Sequence, residues 1–73
     1  MKKNVYVVNS VTTNEVFGCF ESFSRAVGMV ADIAFDDGSV GFSVFPSIED
    51  GVWFVRWEDS EGAVWKITEH EVE

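Results

Sequence analysis

Residues Phe20–Phe35, FESFSRAVGMVADIAF, hold the only strong helical pattern in this 73-residue chain. Ser22 is placed to cap it, its hydroxyl accepting from a backbone N–H that has no partner within the helix. Phe23, Ala26, Val27, Val30 and Ala34 then recur at three- and four-residue steps, the period of one helix face. Ile33 and Phe35 widen this apolar stripe. Ser24, Arg25, Gly28 and Asp32 fall mostly opposite, so the helix is amphipathic and lies on something apolar. Gly28 costs about 1 kcal/mol relative to alanine in mid-helix, and reads as a tolerated surface glycine or a point of close approach. Asp36-Asp37-Gly38 ends the helix, Gly38 suiting the left-handed residue beyond the last turn. The two aspartates stand at the negative end of the helix dipole, which is mildly unfavourable and asks what those charges are for.

Outward from the helix the chain reads as strands. Asn4–Val8 is β-branched and aromatic, Ser10–Asn14 supplies turn residues, and Glu15–Phe20 returns, making a hairpin that feeds the helix. In the returning strand Val16, Gly18 and Phe20 share one face, with Phe17 and Cys19 on the other; Gly18 suggests a bulge. Val40–Phe45 alternates as a third strand, stopped at Pro46 before a loop over Ser47–Gly51. Val52–Trp57 (VWFVRW) is the strongest strand, Glu58–Gly62 a turn, and Ala63–Thr68 the return. Glu69–Glu73 either extends that strand or frays. The expectation is one α+β domain spanning residues 1–73, a small antiparallel sheet with the helix on one face, in the order ββαβββ or ββαββ.

Val52–Trp57 is apolar on both faces, Trp53, Val55 and Trp57 against Val52 and Phe54. One helix covers one face, so the other meets water, a second copy, a target, or residues 40–48 folded over it.

Composition narrows the function. Acids outnumber bases 13 to 5, for a net charge of −8. Direct nucleic-acid binding and attachment to an anionic membrane are disfavoured, because both need Lys and Arg. Basic partners are favoured and would associate faster. The hydrophobic fraction of 47% supports a folded core despite the charge. No apolar run is long enough to span a bilayer, and no secretory leader follows Met1-Lys2-Lys3. A single cysteine, Cys19, suits a reducing cytoplasm and reads as a buried strand residue.

Catalytic chemistry finds little support. His70 stands between Glu69 and Glu71, but neighbouring strand side chains point to opposite faces, so the triplet does not converge on a metal. Trp57–Gly62 has the glycine after acids of a calcium loop, yet Trp57 and Thr68 occupy ligand positions and the flanks are strands. No phosphate loop or catalytic motif is present. The expectation is a protein that is not an enzyme and binds no cofactor or metal.

The remaining candidates are for partner binding. Trp53 and Trp57 read as core packing or as interface anchors, where Trp is over-represented. The acids gather at turns: Asp36 and Asp37; Glu49 and Asp50; Glu58, Asp59 and Glu61. Glu69, Glu71 and Glu73 alternate, so an extended chain projects them from one face about 7 Å apart, as a row able to imitate a phosphate backbone in a basic groove.

A small, acidic, single-cysteine domain that opens MKKNVYVVNS and starts its helix with FESFSRA resembles small bacteriophage-encoded proteins. The resemblance rests on size, charge and architecture over the whole chain. It implies binding and blocking of one host protein in a bacterial cytoplasm: a nuclease, a restriction or CRISPR effector, a polymerase or a repair enzyme. The leading expectation is therefore an inhibitor or modulator of a basic, nucleic-acid-handling host protein. The alternative is a homodimer or larger homo-oligomer serving a structural or assembly role.

Overall fold

The computed structural model describes residues 3–39 and 41–72. The order is β1 (Lys3–Ser10), β2 (Val16–Phe20), α1 (Phe23–Asp36), β3 (Phe42–Pro46), β4 (Val52–Trp57) and β5 (Trp65–Val72). All strand pairings are antiparallel, in the spatial order β2-β1-β5-β4-β3. The fold is α+β with the order ββαβββ, as the sequence pattern predicts.

The helix begins and ends as its chemistry requires. Ser22 is extended, and its Oγ accepts from the Arg25 backbone N–H at 3.2 Å. At the other end Ser39 N donates to Ala34 O and Gly38 N to Phe35 O, with Gly38 at φ 74°. This 6→1 and 5→2 pair, closed by a left-handed glycine, is the Schellman arrangement that satisfies the last carbonyls.

Tyr6, Val8, Phe20, Phe42, Val44, Trp53, Val55, Trp57, Trp65 and Ile67 share the sheet face that meets Ala26, Val30 and Ala34 of α1. Trp57 and Trp65 are buried there, and half-buried Trp53 lies 4.7 Å from Phe23, between ring centroids. The tryptophan face of β4 is therefore the helix side. Among the described residues its other face, with Val52 and Phe54, has no covering layer.

Several expectations are corrected. Phe35 does not widen the buried stripe: it is 85% exposed, one residue beyond Ala34 on the turning helix. β3 starts at Phe42 and includes Pro46, which an edge strand tolerates because the proline lacks only an unneeded donor. Val40 lies outside the described residues. Residues 42–46 add an edge strand and do not fold over the second face. The register shifts between Val8 and Asn9, which pair with Gly18 and Val16. Phe17 is the extra residue of this bulge, and its ring meets Trp65 at 4.5 Å, so it does not pair with Cys19 on the far face. Cys19 is exposed, not buried, because β2 is an edge strand and Val7, its partner, points away from the helix. Gly28 has open space around it, as a surface glycine does. β5 continues to Val72 against Lys3 of β1, so Glu69–Val72 extend the strand. Glu73 lies outside the described residues.

Candidate interaction surface

The candidate acids fall at two ends of the molecule. Phe23, at the start of α1, touches Tyr6 and Trp53, so the helix starts near the β3–β4 turn. It ends where β3 begins and β4 stops.

At that second end Asp36 and Asp37 follow the exposed Phe35. Ser39 Oγ donates to Gly41 O at 2.8 Å, and the Glu58 backbone N–H donates to the same carbonyl at 3.0 Å. The β4–β5 turn that holds Glu58, Asp59 and Glu61 is thereby tied to the end of the helix. Ser60 fixes the turn from inside, donating its hydroxyl toward Trp57 O and Gly62 O. All five acids are exposed. The last helical turn holds no basic residue, and among the described residues Asp36 and Asp37 have no ion-pair partner. Two carboxylates against the negative pole of a helix cost up to about 1 kcal/mol each, and nothing within the described fold offsets that cost. Phe35 adds an exposed aromatic ring directly before Asp36 and Asp37 at this end, and aromatic anchors recur at interfaces.

At the first end Glu49 and Asp50 are exposed in the β3–β4 turn, beside fully exposed Ile48. Glu69 and Glu71 share the helix side of β5, but they are not equivalent. Glu69 is half-buried and accepts from the Tyr6 hydroxyl at 2.7 Å, and its backbone N–H donates to Gly51 O. Its carboxylate is thus committed within the fold, while Glu71 is exposed. The Trp53 and Trp57 rings belong to the core. The exposed aromatic surface lies elsewhere, in Phe35, Phe45 and Phe17.

The Tyr6–Glu69 contact has a titration signature. The hydrogen bond to Glu69, then burial, then the carboxylate's charge raise Tyr6 above the ordinary tyrosine value. A folded pKa above the unfolded one means that this stabilisation is complete below about pH 10, and is lost as pH rises through the higher folded value. Tyr6 is the sole tyrosine, so its ultraviolet ionisation curve is unambiguous. Its midpoint is expected above that of the urea-unfolded chain, and Glu69→Ala should bring it closer to that value, leaving the part due to burial. Coincident midpoints in the wild type would show that the contact does not persist in solution.

Among the described residues no group of three or more His, Cys, Asp or Glu is placed to hold a metal, and no helix is long and apolar enough to cross a membrane. A shallow, open depression is lined by Phe20, Arg25, Gly28, Met29 and Asp32; it brings together one cation and one carboxylate, and no nucleophile. In comparisons with protein-family models, curated proteins and solved structures, no match was found.

Proposed function

We propose that this is a non-enzymatic binding protein that inhibits or modulates a basic, nucleic-acid-handling protein, acting in the cytoplasm of a bacterial host as a phage-encoded anti-defence factor. The observation that supports this reading is the end of the molecule where exposed Phe35, Asp36 and Asp37 close the helix and the segment that follows is bonded through Gly41 to the turn of exposed Glu58, Asp59 and Glu61. The charges draw in a basic groove and steer its approach, in partial imitation of a nucleic-acid backbone. The phenyl ring supplies apolar area that charge alone lacks.

The test is capture of a single basic protein from bacterial lysate on the immobilised wild-type chain. Binding should weaken as salt is raised, since exposed charges are screened within about 10 Å at 0.1 M ionic strength. Retention unchanged at high salt would overturn the electrostatic part.

The uncovered sheet face favours a second reading, a homo-oligomeric structural or assembly protein of a phage or bacterium.

A further inference from the structure

Charge on the strands divides by face. Lys3, Arg56, Lys66 and His70 all lie at positions that alternate away from the helix. Glu69 and Glu71, the only acids on the described strands, lie at positions facing the helix side. No strand position on the open face carries a carboxylate, in a chain of net charge −8; Lys3, at its edge, is paired with Glu21 at 3.3 Å. Its apolar residues include Val5, Val7, Val52, Phe54 and Phe45. Phe45, Phe54 and Lys66 stand in one cross-strand row, with Arg56 two residues along β4 from Phe54. The two phenyl rings lie 6.3 Å apart between centroids, and Phe45 is 41% exposed. The row is a pair of aromatic rings bordered by two cations.

The complementary chemistry is present on the same chain. Ile48 is fully exposed at the β3–β4 turn and is followed by Glu49 and Asp50. This tip does not reach its own face. β3 runs extended through Pro46, and Ser47 N donates to Val52 O at 2.9 Å, which closes the turn beyond the end of the sheet. A two-fold face-to-face pairing would set the same patch against itself, and so bring Arg56 and Lys66 of both copies into one interface with no strand carboxylate to pair them. A tip docked on a face pairs opposite charges and seats Ile48 against the phenyl rings.

We infer that the open sheet face is a docking site for a second copy of this chain, occupied head-to-tail by the Ile48-Glu49-Asp50 tip. This deepens the assembly reading by naming the two surfaces that meet, and shares no residue with the helix-end surface. A head-to-tail contact leaves one tip and one face free, so association continues beyond a pair unless a ring closes.

Sedimentation velocity over a wide concentration range tests it, using the full chain and two variants. The face variant is Arg56→Glu with Lys66→Glu; the tip variant is Ile48→Ser with Glu49→Lys. Each alone should associate at least about tenfold more weakly than wild type, the scale expected when one side of an opposite-charge contact is reversed. Mixed together they should form a 1:1 complex and nothing larger, because one intact tip still meets one intact face. If the face variant loses its circular-dichroism spectrum, exposed Phe45→Ser with Arg56→Glu replaces it. A wild type that stays monomeric at every concentration overturns the inference and the assembly reading together. A tip variant that associates like wild type, or a mixture that stays monomeric, overturns the head-to-tail contact and leaves assembly through another surface.

Discussion

Replacing Ile67 with alanine is expected to remove about 2–5 kcal/mol of stability, the cost of emptying a buried Ile or Leu site that cannot collapse. Ile67 is fully buried on β5, the middle strand of the sheet, with Val8 on one side and Trp53 on the other. Strands pair on both sides of it and α1 lies above it, so its neighbours have little freedom to fill the space. A domain of this length has a total stability on the order of 4–11 kcal/mol, so this one change removes a large part of it. The melting temperature should fall by more than about 10 °C. Phe35→Ser is the internal control. The sequence pattern groups Phe35 with the apolar stripe, but an 85% exposed ring should change stability by less than about 0.5 kcal/mol. A large loss at Phe35 together with a small one at Ile67 would mean that the helix lies on the sheet with a different face.

The second large effect concerns binding. Phe35→Ser combined with Asp36→Lys and Asp37→Lys is expected to weaken capture of the basic partner at least about a hundredfold. Loss of an aromatic anchor near the middle of an interface costs about 2 kcal/mol or more, and reversing two charges turns attraction into repulsion. The same variant should be no less stable than wild type. Lysines at the helix C-terminus meet the dipole favourably where the aspartates do not, so stability and binding move apart. A destabilised variant would give those aspartates a structural role and weaken the functional reading.

Much of the fold is legible in the residues themselves. Ser22 and Gly38 mark the ends of the helix through their cap chemistry, and Ala26, Val30 and Ala34 mark its buried side by their spacing. What could not be read is orientation. Val52–Trp57 is apolar on both faces, and alternation alone does not say which face a helix covers. The register settles it by placing Val55 and Trp57 with Trp65 and Ile67. Phe35 is one residue past Ala34, and the turn of the helix between them decides burial or exposure. Phe17 belongs to a bulge, and an extra residue reverses the alternation on which face assignments rest. The acids at the two ends are visible as turn residues. That Phe35 and Ile48, each directly before one group of them, are left exposed is a product of tertiary structure.

The segregation of strand charge has the same origin. Lys3, Arg56, Lys66 and His70 are scattered in sequence, and only the pairings of β1 with β5 and β5 with β4 put them on one surface. Total composition had pointed the other way, because a net charge of −8 conceals a sheet face whose strand positions hold cations and no acids.

The measurement that bears most directly on the proposed function is a paired capture from bacterial lysate, at low and at high salt. Wild-type chain and the Phe35→Ser, Asp36→Lys, Asp37→Lys variant are immobilised at equal density. The account predicts one basic, nucleic-acid-handling protein on the wild type, reduced by salt and missing from the variant. Equal recovery of that protein on both chains, at both salt concentrations, would contradict it.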